Sequence, residues 1–259
     1  MPCRYPVILV HGIAAKQLRV FNAFGRIGHK LAESGERVYI ADTDGFGTIE
    51  GNAEQLRAFV LRVLEACEVD KVNIIAHSKG GLDAKYMITH LGMEEHVASL
   101  TTLCTPHRGS IIASRIWQLP QWIKRTCAFF IDTTYRLLLR DKAPNSMRAC
   151  EQLLYRHEDD ETVAFSHAVF AQSYSSTLHR GKDCFLMSIP RYLYKKYEDI
   201  DNDGLVCSHS ARFAHYRGEC LDISVSHVQI IDLFAKRSQR EKIYAFYLGI
   251  CRELSEMGF

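Results

Sequence analysis

Ser78 stands in the run VNIIAHSKGG, residues 72–81, where an apolar stretch gives way to a helix-forming one. A serine hydroxyl is a weak nucleophile at neutral pH and needs a base to take its proton. A strand that turns sharply into a helix can present such a serine, provided the residues two before and two after it are small. Ala76 and Gly80 meet that condition, an A-x-S-x-G form of the G-x-S-x-G nucleophile elbow. The turn lifts the serine beyond the sheet edge and sets it at a helix N-terminus, where unpaired N–H groups and the helix dipole favour an anion. The five residues by themselves also fit a serine that merely caps a helix. The apolar strand in front of them and the groups considered next favour a nucleophile.

Enzymes built on this turn order their groups serine, acid, histidine along the chain. Of the twelve histidines, His227 comes late, in DISVSHV ahead of a helical stretch; His209 and His215 are its rivals. His77 is expected to be structural, because neighbouring side chains on a strand point to opposite faces. For the acid, Asp203 in DNDGLV is the choice, with Asp201 and Asp199 as rivals; Asp-Gly is a common turn, so spacing does not decide among them. An oxyanion needs two backbone donors. The Lys79 N–H follows the nucleophile, and the Ile13 N–H follows Gly12 in VHGI after the first apolar run. The Lys79 side chain is expected to reach solvent.

The elements needed to hold these groups are legible in the apolar pattern. Short apolar runs at 7–10, 37–41, 72–76 and 97–103 read as buried parallel strands. Helical spacing over 22–33, 56–64 and 79–91 separates them, so the class is α/β, a mostly parallel sheet with helices on both faces. From 110 to about 180 the pattern changes to aromatic residues among scattered charges, which reads as helices inserted between core strands; strand-like segments return near 167–173 and 184–189, and a last helix near 239–254. With 259 residues and 47% apolar composition the chain is expected to form one domain. The net charge of +2 gives no pointer to nucleic acid or to an anionic membrane, and tracts such as Lys195-Lys196 read as solvated faces. Nine cysteines without C-x-x-C spacing argue against zinc and for a reducing compartment. MPCRYPVILVHG lacks the features of a signal peptide, and no run reaches the roughly 18–20 apolar residues of a membrane span, so a cytoplasmic location is expected.

Taken together and in order, PVILVHGI, VNIIAHSKGG, LTTLCTPHRGS, NDGLV and SVSHV make the chain resemble bacterial triacylglycerol lipases of the Pseudomonas type and their intracellular relatives, most clearly over 5–110 and 199–234. The resemblance implies the α/β-hydrolase fold and hydrolysis of carboxylic esters, acylglycerols or other lipid esters, through an acyl-enzyme. It implies Asp203 as the acid, His227 as the base, Ile13 as the second oxyanion donor, and a helical lid over 110–165 that opens at a transient lipid interface. An acyl thioesterase or acyltransferase would use the same residues, and a hydrolase-fold binding protein that has lost its chemistry is the reading from another class. The chain departs from the family at two points, the signal peptide that the secreted lipases carry and that is not expected here, and the calcium site. Those lipases hold a calcium ion partly through an Asp two residues after the histidine. Here that residue is Gln229, with Asp183 as the match to the other acidic ligand. No tightly bound calcium, and no other cofactor, is expected.

Overall fold

A computed structural model of the protein describes residues 1–16, 22–155, 168–197 and 201–259. Among the described residues six strands form one parallel sheet: β1 (Val7–Val10), β2 (Val38–Ile40), β3 (Val72–His77), β4 (Val97–Leu103), β5 (Phe170–Ser175) and β6 (His215–Glu219), in the order β2-β1-β3-β4-β5-β6. Every residue of β1, β3 and β4 is buried, the mark of central parallel strands covered on both faces.

Alternation divides those strands between two apolar layers. Val7, Leu9 and Ile75 face α1 (Ile27–Glu33) and the C-terminal α8 (Arg237–Glu256), which contributes Ile243, Tyr247, Ile250 and Leu254 from one stripe. Ile8, Val10, Ile74 and Ala76 face α2 (Ile49–Cys67) and α3 (Lys79–His90), through Leu56, Val60, Ala84 and Met87. Each of the Val, Leu, Ile and Met side chains among these, fully removed from water, contributes about 1.5–3 kcal/mol before entropy is set against it. Because all strands are parallel, their carboxyl ends meet along one edge, where open α/β sheets place their sites.

Among the described residues, three helices stand between β4 and β5: α4 (Ile111–Trp117), α5 (Gln121–Leu138) and α6 (Ser146–Gln152). They occupy most of the 110–165 segment read as an insertion; its last part, from 156, lies outside the described residues. Two expectations need correction. The run at 184–189 is not a strand: Phe185–Tyr197 is a helix, α7, which accommodates Pro190. Its apolar residues are contiguous enough to mimic a buried strand, a known ambiguity of short apolar runs. The segment at 22–33 is helical only from Ile27. The edge strand β6, with the sequence HYRGE, carries charged residues as unpaired sheet edges do and shows no apolar run. No helix among the described residues is long and apolar enough to cross a membrane.

Candidate active site

β3 ends at His77, and the next residue, Ser78, takes φ 55 and ψ −133 before α3 begins. That backbone is costly for a residue with a Cβ and persists because its surroundings fix it. The Ser78 amide donates to the Leu103 carbonyl at 2.9 Å. The turn leaves no room around it. A Cβ on Gly80 would lie 2.4 Å from the His11 carbonyl oxygen, and one on Gly12 would lie 2.5 Å from the Ser78 Cβ. Glycine at these two positions is therefore a packing requirement of the elbow.

Asp203 is held by its own turn. Its Oδ1 accepts from the Leu205 and Val206 amides at 2.9 and 2.8 Å. Gly204 follows with φ 106, and a side chain there would collide with Met187 of α7. The free oxygen, Oδ2, accepts from His227 Nδ1 at 2.7 Å, and the His227 amide donates to the Asp203 carbonyl at 2.9 Å. The Nδ1 proton fixes the tautomer, so His227 Nε2 is the acceptor that faces Ser78 Oγ, at 2.8 Å. All three side chains are buried. Thus Ser78, Asp203 and His227, chosen from the sequence, meet in one chain of hydrogen bonds. The rivals do not join it. His209, His215 and Asp201 are exposed, His215 lying on β6 against Phe170, and Asp199 is outside the described residues.

Lys79 is the first residue of α3, so its N–H has no intrahelical acceptor, and Ile13 borders the same cavity as Ser78 and His227. The Lys79 side chain corrects an expectation: it does not reach solvent. It is buried behind the elbow, with Nζ 2.7 Å from Asp83 Oδ1. Asp83 also accepts from Asn52 Nδ2 at 3.1 Å. Burial pushes the Asp83 carboxyl up to about 6 against the pull of Lys79.

His77 does more than fill space. Its Nε2 lies 2.9 Å from the His227 carbonyl oxygen, which can only accept, so the ring carries its proton on Nε2. The two imidazoles pack at 4.5 Å, and burial holds the His77 pKa well below the usual histidine range, keeping it neutral beside His227. The expected structural role of His77 takes this form: it holds the main chain of His227, 150 positions away. The TPHRGS segment borders the cavity through Pro106 and Ser110 and braces the site from behind. The His107 amide donates to the Ser210 carbonyl at 2.9 Å, and Ser110 Oγ donates to the Leu205 carbonyl at 2.6 Å, tying the end of β4 to the acid loop.

A cavity of about 270 Å³ opens at Ser78 and His227. Its walls are almost wholly apolar: Ile112 and Ile116 from α4, Ile123 and Ile131 from α5, Met147 from α6, and Val206. Away from it, Gln229 and Asp183 are in contact, but not as ligands of a cation. Gln229 Nε2 donates to the Asp183 carbonyl at 2.9 Å and its Oε1 accepts from the Ser226 amide at 3.0 Å. The Asp183 carboxylate faces Arg180 at 3.2 Å and Lys236 at 3.6 Å. An amide bridge and two cations stand where a calcium ion would need several anionic oxygens, so these residues do not fit one. Excess chelator is expected to leave the melting temperature unchanged; a fall of several degrees would overturn that reading.

Residues 5–187 match the model of the alpha/beta hydrolase fold family. The chain is 44% identical over 115 residues to a triacylglycerol lipase of Pseudarthrobacter phenanthrenivorans, an alignment covering 42% of this chain and 35% of that one. It is 29% identical over 256 residues to triacylglycerol lipase 2 of Saccharomyces cerevisiae, covering 88% and 72%. The matched part is about a third of the length of the bacterial relative. Among solved structures, Staphylococcus hyicus lipase superposes with a TM-score of 0.73 at 15% identity, covering 96% of this chain and 95% of that one. The family match, spanning well over half the chain, and the shared fold establish that this protein belongs to the α/β-hydrolase family.

Proposed function

We propose that this protein is a serine hydrolase of carboxylic esters, with acylglycerols or related lipid esters as its substrate class. The observation that carries the reading is the pair of short contacts, Ser78 Oγ to His227 Nε2 at 2.8 Å and His227 Nδ1 to Asp203 Oδ2 at 2.7 Å, at the mouth of an apolar cavity. In the first half-reaction Ser78 Oγ attacks the ester carbonyl while His227 Nε2 takes its proton. Asp203 holds the ring and stabilises the imidazolium. The Ile13 and Lys79 amides receive the oxyanion, each such donor being worth about 2.7–4 kcal/mol in comparable sites. The imidazolium protonates the leaving alcohol, and water, deprotonated by His227, releases the acid and restores Ser78.

The cavity walls supply the substrate preference. An acyl chain laid along Ile112, Ile123 and Ile131 exchanges water for apolar contact at about 0.8 kcal/mol per buried methylene. We assign α4 to α6, within 110–165, as the lid over that chain, and 1–259 as one hydrolase domain. The nine cysteines, none in a disulfide, suit a reducing compartment. The test is turnover of p-nitrophenyl esters from acetate to palmitate. The expected kcat/KM rises by roughly an order of magnitude or more from acetate into the medium and long chains. A maximum at acetate would remove the acyl-pocket assignment. Inactivity on every ester, with turnover of an acyl thioester, would replace the proposed reaction.

A further inference from the structure

The Ile13 donor sits in a segment that carries backbone strain. Ala14, the next residue, has φ 61, the left-handed region that a residue with a Cβ enters at a cost. Two bonds from outside the segment hold it there. The Ala14 amide donates to the Gly45 carbonyl at 2.9 Å, and the Tyr135 hydroxyl of α5 donates to the Ala14 carbonyl at 2.6 Å. The fit is close: a Cβ on Gly45 would lie 2.5 Å from Tyr135 Cε1 and 3.0 Å from the Ala15 carbonyl oxygen. Burial and the nearby Asp141 carboxylate push the Tyr135 hydroxyl above its ordinary range, so it remains a donor at neutral pH. Two residues after Ala14, Lys16 is buried, with its ammonium 3.2 Å from both Asp42 and Asp141, and it donates to the Thr43 carbonyl at 3.1 Å. Asp141 lies just beyond the end of α5 and accepts from the Phe46 amide at 3.0 Å. Asp44, 3.8 Å from Lys16, receives the Lys142 and Ala143 amides at 2.8 Å each. The Asp44 carbonyl accepts from Asn52 Nδ2 at 2.9 Å, and the same nitrogen serves Asp83, the partner of Lys79. One buried network therefore joins the segment of the Ile13 donor, the exit of α5 and the residue of the second donor.

Taking an ammonium out of water is costly, and a loop with no placement to keep would leave its lysine exposed. We infer that Lys16 and Tyr135 are positioning residues of the oxyanion site, which fix the Ile13 amide from the C-terminal end of α5. The inference rests on the hydrolytic reading and deepens it. Neither side chain is among those that line the cavity, so an effect on catalysis has to pass through the backbone that they hold.

The deciding variant is Tyr135→Phe, which loses one hydroxyl and keeps the ring in its edge contact with Phe46, at 4.6 Å. On a soluble p-nitrophenyl ester its kcat is expected to fall about ten-fold with KM unchanged. Lys16→Met is expected to lose about a hundred-fold, against about 10²–10³ for a whole oxyanion donor. An alkyl trifluoromethyl ketone separates placement of the donor from general loosening. Ser78 Oγ adds to its carbonyl, the Ser78 proton passes to His227, and the new oxyanion meets the Ile13 and Lys79 amides. Its affinity should weaken by the same factor as kcat/KM. Tyr244→Phe removes a comparable hydroxyl bond, to Asp232 at 2.8 Å, and is expected to leave kcat and ketone affinity unchanged. Circular dichroism melts check that the variants fold; should Lys16→Met not fold, Tyr135→Phe decides. Wild-type kcat in Tyr135→Phe, a loss seen in KM alone, unchanged ketone affinity, or an equal loss in Tyr244→Phe overturns the inference. A wild-type protein without Ser78-dependent ester turnover removes the hydrolytic reading and this inference with it. An active wild type with unaffected variants removes this inference alone.

Discussion

Asp203→Asn is expected to lower kcat by about four orders of magnitude while leaving the melting temperature nearly unchanged. The outcome depends on which oxygen is free to become an amide nitrogen. Asp203 Oδ1 accepts two backbone N–H groups, from Leu205 and Val206. In the asparagine variant that place must still be filled by the carbonyl oxygen, because an NH2 group there would face two donors. The amide nitrogen is therefore directed at His227 Nδ1, now 2.7 Å from Oδ2. Two donors cannot share that contact, so the ring moves its proton to Nε2, the atom that must accept from Ser78. The base is present and pre-protonated. Ser78→Ala removes the nucleophile itself and is expected to cost about 10⁴ to 10⁶ in kcat. Alanine keeps the Cβ and the strained φ of 55, so the elbow is not relieved and only the hydrogen bond to His227 is lost, on the order of 1 kcal/mol. The pair is measured as single-turnover rates on one soluble ester beside thermal melts. Near-wild-type turnover in Ser78→Ala would sink the assignment, and a fully active Asp203→Asn would remove Asp203 from it.

The central strands were legible because they are buried on both faces. VILV and VNIIAH have no polar alternation to confuse, and the intervening helices carry clear stripes such as Leu56 and Val60 on α2. Ser78 was legible because the elbow forces small residues at fixed offsets, and the structure shows why: Gly80 abuts the His11 carbonyl. What sequence could not give was the destination of side chains set by tertiary contacts. Lys79 has a long cationic side chain and reads as exposed until Asp83, one helical turn on, supplies a buried counter-charge; the i, i+4 spacing was the available signal. His77 is a strand-end residue whose partner, the His227 carbonyl, is 150 positions away. The start of α7 reads as a strand because its apolar residues are contiguous, although Phe185, Leu186 and Ile189 stand exposed. Its Arg and Lys residues, spaced among the apolar ones, are what a core strand does not carry.

The Lys79–Asp83 pair gives the largest expected effect on stability. Both side chains are 1% exposed, so removing one partner leaves the other charge without water or counter-ion. Lys79→Met is expected to cost about 3–5 kcal/mol, a fall in melting temperature on the order of 10 °C. Lys79→Met with Asp83→Leu removes both charges and should recover most of that loss, since the pair itself is offset by the desolvation of two ions. The effect must also depend on pH. The folded-state carboxyl of Asp83 is pushed up to about 6 from an ordinary 3.8. Between those values the folded protein holds a proton that the unfolded chain has released. Its contribution to stability is therefore complete below 3.8, declines as pH rises to about 6, and is flat above. Without the Lys79 cation the carboxyl moves higher still, so in Lys79→Met the decline continues toward neutral pH. Urea unfolding at pH 5 and pH 8 is then expected to show a smaller loss in the variant at pH 5, where Asp83 stays protonated and neutral. An equal loss at the two pH values would mean that Lys79 contributes packing and not charge, and a double variant no better than the single would locate the cost in the cavity left behind α3.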